Sequence, residues 1–120
     1  DGVIDIITSD HNPIDIEHKK MEFDGAKSGT IGLESAFITL NTVLPLETII
    51  DKLTSAKSIF NIENCSIAEG NSANFTLFNP DGNSVFSKEN ILSKSKNSAF
   101  LGVKGKGKVY GIYNQGKLVL

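Results

Sequence analysis

The most constraining feature of this chain is the run Val3-Ile4-Asp5-Ile6-Ile7-Thr8, which drives β-branched side chains straight into Ser9-Asp10-His11-Asn12-Pro13. Branching at Cβ stiffens the side chain and suits a pleated, packed surface, so residues 3–8 read as a short buried strand interrupted only by Asp5. Pro13 has no N–H to give a ladder and holds residue 12 away from helical geometry, so the strand stops there. A strand buried on both faces needs sheet neighbours on both sides. The two residues before it, Asp1 and Gly2, supply none, so the expectation is that the chain is the C-terminal part of a longer protein.

Helical periodicity follows. Leu33, Phe37, Leu40 and Leu44 recur at spacings of four, three and four, which predicts a helix over 32–43 with one apolar stripe. Pro45 interrupts it. A second helix over 46–53 is expected to bury Leu46, Ile49, Ile50 and Leu53, with a short turn around 55–59, while the charged stretch 14–24 reads as a loop with one or two helical turns. After Ile62 the period changes to that of short strands: 73–78, closed by the turn signal Asn79-Pro80-Asp81-Gly82, and then 85–86. Serine and lysine dominate 87–98, which predicts a solvated connection. Val109–Tyr113 and Lys117–Leu120 read as a hairpin joined by Asn114-Gln115-Gly116.

Several function classes are disfavoured. The net charge is −2 and the lysines are scattered among acids and serines, which argues against nucleic-acid binding through a broad basic surface. No run approaches the roughly 20 apolar residues of a membrane span. A single cysteine, Cys65, forms no internal disulfide and suits a reducing, cytoplasmic setting, where the sequons at Asn64 and Asn74 carry no meaning.

The residues alone leave two readings of Asp10. A carboxylate at a strand end can ligate a divalent metal or move a proton, or it can serve an ordinary strand-end hydrogen bond. His11 is open in the same way, as a ligand or as a structural histidine. Neighbouring side chains on an extended segment point to opposite faces, so Asp10 and His11 do not naturally chelate one ion, and His18 and Cys65 add no regular ligand spacing.

The succession Ile4-Asp5-Ile6-Ile7-Thr8-Ser9-Asp10-His11-Asn12-Pro13, then Glu17-His18-Lys19-Lys20, Phe23, Ala26-Lys27-Ser28-Gly29 and Gly32-Leu33-Glu34 resembles the final barrel strand and following loop of the dihydroorotase branch of the metal-dependent amidohydrolases. Ile67–Phe75, Lys94–Ser98, Gly107-Lys108-Val109 and Asn114–Lys117 resemble that family's later segments, in order. The resemblance implies an α/β fold: the C-terminal fragment of a (β/α)8 TIM barrel over 1–62, then part of a small β-sandwich-like domain over 63–120. It implies a parent about three times longer that cyclises N-carbamoyl-L-aspartate to dihydroorotate and reverses the reaction, usually with zinc. Asp10 then matches a metal ligand and general acid/base; Asn12, Ala26, Ser28 and Gly29 match positions near the cyclic amide substrate.

Departures accompany the likeness. Ile14 stands where the family has a carboxylate-binding histidine, and isoleucine neither donates a hydrogen bond nor carries charge. Asn12 replaces a common alanine, Asn74 a common aspartate, and the proline expected near Ser55-Ala56-Lys57 is absent. Three readings of the parent follow: a dihydroorotase-like enzyme, a catalytically silent homologue acting as a partner subunit, or an amidohydrolase for another cyclic imide or ureide. The isolated 120 residues are expected to be inactive and to bind zinc weakly or not at all, since Asp10 is the one family ligand present. An unpaired apolar strand also makes a homo-oligomer an expectation.

Overall fold

The computed structural model describes residues 2–63 and 66–120; Cys65 and the sequon at Asn64 lie outside the described residues. Three helices come first: α1 (Leu33–Leu40), α2 (Leu46–Thr54) and α3 (Ala56–Ile59). Then β1 (Asn74–Val85), a 3-10 turn (Lys88–Asn90), β2 (Lys104–Asn114) and β3 (Lys117–Val119) follow. The strands form one antiparallel sheet in the order β1-β2-β3.

The opening run is not a strand. Residues 2–10 belong to no strand or helix, and Val3 and Ile4 are 84% and 64% exposed. The segment instead lies along the helices: the Ile7 N–H donates to the Lys52 carbonyl at 2.9 Å, and the Ser55 hydroxyl donates to the Asp5 carbonyl at 3.0 Å. Apolar character along an extended segment marks a surface that wants cover; it does not supply the ladder partner that defines a strand.

The helices match their expected positions more closely than their expected faces. Leu33 is 63% exposed, whereas Ser35 and Ile31 are buried and Ile38 sits against the sheet. Gly105 on β2 decides this: a Cβ there would lie 2.9 Å from Ile38 Cβ, so only a glycine lets α1 settle so closely. Phe37 meets Phe78 of β1 edge to face, with ring centroids 5.0 Å apart. In α2 only Ile49 is fully buried; Ile50 and Leu53 are exposed. Glu47 in its first turn and Lys52 in its last suit the helix dipole.

The Asn79-Pro80-Asp81-Gly82 signal does not reverse the chain. The β1–β2 register passes from Asn79 opposite Lys108 to Asn83 opposite Lys106, so Pro80, Asp81 and Gly82 together face the single residue Gly107 as a bulge inside one long strand. The turn chemistry is real but local: the Asp81 N–H donates to Asn79 Oδ1 at 2.9 Å and Gly82 takes φ +94°. Asn41, just beyond α1 and buried, closes the gap, its side-chain amide donating to the carbonyls of Pro80 at 2.8 Å and Lys106 at 3.0 Å. The hairpin is as expected, with Gln115 at φ +47° and Gly116 at φ +80° forming a two-residue turn.

Residues 87–98 are more than a solvated connection. Ile91 from this stretch joins Ile31 and Phe86 in the buried apolar cluster, with Ile38 and Phe100 packed against it. Its serines and asparagines bind the segment that carries Asp10's neighbours.

Candidate functional site

Residues 9, 11 and 12 are each fixed against residues 30–33. The Ser9 carbonyl lies so close to Gly32 that a Cβ there would be 2.7 Å from its oxygen. His11 Nδ1 accepts the N–H groups of Gly32 at 3.3 Å and Leu33 at 3.2 Å, and the Asn12 N–H donates to the Thr30 carbonyl at 3.0 Å. Asp10 between them has φ +43°, a left-handed conformation that aspartate tolerates better than most residues, and its side chain is exposed. Among the described residues its own N–H reaches Thr8 Oγ1 alone, at 3.4 Å.

His11 thereby caps α1 from outside. Gly32 at the helix start brings no side-chain acceptor, and the imidazole takes over that work for two amides that would otherwise lack partners. Since Nδ1 accepts, Nε2 carries the proton and faces Ser93 Oγ at 3.3 Å. The Ser93 hydroxyl donates in turn to Glu34 Oε1, which also accepts the Ser93 N–H at 2.9 Å. Burial pushes the Glu34 carboxyl up, but the lowering influences together, led by the Ser93 hydroxyl and amide, hold the group below its ordinary 4.5. Glu34 Oε2 is buried with no hydrogen-bond partner among the described residues and lies 3.9 Å from His11 Nδ1.

The stretch 94–99 continues the same attachment. Ser95 Oγ donates to the Ile14 carbonyl at 2.7 Å and Asn97 Nδ2 to the Gly29 carbonyl at 3.0 Å. The Ile31 N–H donates to the Asn97 carbonyl at 3.0 Å, and the Ala99 N–H to Thr30 Oγ1 at 2.9 Å. Gly29 has φ +132°, and a Cβ there would lie 2.7 Å from Ile14 Cγ1 and 2.9 Å from Asn12 Nδ2. A half-open cleft of about 790 Å³ lies alongside, with Ile14, Ile16 and Leu101 among its apolar walls and Lys88, Lys94 and Lys96 around it. Lys96 Nζ is engaged by the Ile91 carbonyl at 2.7 Å.

The structure thus brings Asn12, Ile14 and Gly29 together next to Asp10. Ala26 sits in a turn whose N–H donates to Glu22, and Ser28 is exposed. His18 does not stand in for the residue missing at 14. Its ring pairs with Asp15 at 2.7 Å, and its N–H and ring together hold the Asp15 carboxyl below its ordinary value. Among the described residues no group of three or more His, Cys, Asp or Glu side chains is placed to hold a metal ion. Asp10 alone offers one carboxylate, and the donor set present does not make a zinc site.

Sequence reasoning assigns Glu34 no role beyond its place in the Gly32-Leu33-Glu34 resemblance, and it does not single out Ser93. Glu34 carried a faint signal, an acid in the first turn of a predicted helix; Ser93 carried none, being one serine in a run of serines and lysines.

No family model matches the chain. A dihydroorotase of Endomicrobium trichonymphae is 44% identical over 115 residues, 89% of this chain and 27% of that protein. A dihydroorotase of Desulforapulum autotrophicum is 33% identical over 99% of the chain and 29% of its own length, and one of Chlorobaculum tepidum 35% identical over 100% and 29%. The chain spans less than a third of the length of these curated relatives.

Proposed function

We propose, from the chain's relatedness to dihydroorotases along nearly its whole length, that it is the C-terminal part of a metal-dependent cyclic amidohydrolase that interconverts dihydroorotate and N-carbamoyl-L-aspartate. Its first half would then complete a (β/α)8 barrel and its second half a small β domain. The observation that carries the reading is Asp10. In this reading it takes the place of the family's reactive aspartate, and it stands, exposed and left-handed, between neighbours tied to residues 30–33.

In hydrolysis, water adds to the ring carbonyl carbon, the C–N bond breaks and the ring nitrogen gains a proton. Asp10 takes the proton from the water and returns it to that nitrogen. Holding the carboxylate in place removes the cost of orienting it for each turnover. The metal ligands beyond Asp10 come from the remainder of the parent.

Ile14 favours a second reading, an amidohydrolase for a cyclic imide or ureide without a carboxylate. An apolar side chain lies where a carboxylate would need a partner, and removing such a partner costs several kcal/mol, about a hundredfold or more in kcat/KM. The cleft lysines offset this for an anion that reaches them.

The full-length parent supplied with zinc decides between the readings. Turnover of dihydroorotate that Asp10→Asn abolishes supports the first, with Ile14→His raising kcat/KM by about tenfold or more. Turnover of hydantoin but not of dihydroorotate supports the second. Loss of neither activity in Asp10→Asn rules out the role given to Asp10 in both.

A further inference from the structure

The hydrogen bonds around His11 all run one way. The amides of Gly32 and Leu33 donate to Nδ1, Nε2 faces Ser93 Oγ, and the Ser93 hydroxyl donates to Glu34 Oε1. That polarity settles what the Ser-His-Glu cluster is not. A nucleophilic serine gives its proton to the imidazole, whereas here the serine proton is spent on the carboxylate and the imidazole N–H is the donor. The Glu34 carboxylate also grips both the hydroxyl and the N–H of Ser93, which fixes residue 93 in backbone as well as side chain.

The line ends on the residue beside Asp10. A non-glycine residue at φ +43° costs free energy and persists where its surroundings determine it. Among the described residues Asp10's own N–H has only a long bond to Thr8, so the determination comes from residues 9, 11 and 12. Of these, His11 alone is held through its side chain. It is also the one tied to the later half of the chain, through a serine 82 residues away.

We infer that His11, Ser93 and Glu34 are positioning residues that hold Asp10 in its left-handed, exposed conformation, so that the loop after the 3-10 turn sets the geometry of the reacting carboxylate. The role of that carboxylate rests on the function proposed above. None of the three touches substrate in this scheme; each acts through the next. Ser93 gives the relay its direction, since it alone accepts from an imidazole and donates to a carboxylate at once.

The test uses the full-length parent with zinc, and compares wild type with Ser93→Ala, Ser93→Thr and Glu34→Gln. If the relay positions Asp10, Ser93→Ala lowers kcat about tenfold or more with KM within about twofold, and Ser93→Thr, which keeps the hydroxyl, recovers most of it. Long-range ¹H–¹⁵N NMR on the same proteins should find His11 protonated on Nε2 in wild type, and Ser93→Ala should shift the Asp10 amide resonance. An Nδ1-protonated His11, or an Asp10 amide unmoved by both Ser93→Ala and Glu34→Gln, overturns the inference. If Ser93→Ala does not fold, Glu34→Gln and the wild-type tautomer decide. If wild type turns over no dihydroorotate, the proposed substrate falls, while the NMR measurements still accept or reject the relay.

Discussion

Two consecutive segments at the start of this chain meet opposite fates. Residues 3–7 are almost all branched and apolar, yet Val3 and Ile4 stand in solvent, and the segment is tied to the helices through Asp5 and Ile7. Residues 9–14 are polar and irregular, yet they are bound by residues 29–33 and 93–97 through side chains and backbone alike. Hydrogen bonds are directional and close between a few atoms, so a small number of partners completes them. Apolar burial is non-directional and scales with area, so it needs a whole covering surface. The polar segment has its partners within this chain; the apolar one does not have its area.

The contrast can be tested where it is strongest. Phe86 is buried with Ile31 and Ile91 directly beneath the interlocked segments, so Phe86→Ala should cost about 3–4 kcal/mol in urea unfolding and loosen residues 91–98 with it. A loss under about 1 kcal/mol would mean that the polar network holds without its apolar floor.

A smaller effect is expected from Glu34. Its folded-state carboxyl lies below the unfolded value of 4.5, so its contribution is fully present above that pH and disappears as pH falls through the lower folded value. Wild type should exceed Glu34→Gln by about 1 kcal/mol at pH 6 and converge with it toward pH 3. A gap that stays constant across the range would show that the carboxylate is not held by its charge.

The smallest effect belongs to the exposed run. Val3→Ser with Ile4→Thr should change the stability of the 120-residue chain by less than about 0.5 kcal/mol, as at other uncovered positions. The same pair in the full-length parent should cost several times more if the parent covers the segment. Equal effects in both would place the comparison in the chain's own surface and not in missing cover.

Much of the architecture was legible because it is local. The spacing of Leu46, Ile49 and Leu53 marks α2, and Gln115-Gly116 marks the hairpin turn, since each depends on residues a few positions apart. The misreadings share one cause. Asn79-Pro80-Asp81-Gly82 makes the same local bonds in a bulge as in a reversal, and only the distant strand around Gly107 decides which. Ser93 and Glu34 lie 59 residues apart, and no period links them. The family resemblance pointed to Asp10, Asn12 and Gly29 but was silent about what holds them.

Asn41 bears on the order in which this molecule can assemble. Its amide spans carbonyls 39 and 65 residues further on, at the point where β1 and β2 part around the bulge. Loops of that length close slowly compared with a helix or a hairpin turn, and each bond waits for its own loop to close. The β2–β3 hairpin and α1 can therefore form early and independently, while the bulge takes its final shape only when helix and strands have met. Stopped-flow measurements on Asn41→Ala should then find unfolding accelerated and refolding nearly unchanged; a proportionate slowing of refolding would move this junction to the start of the pathway.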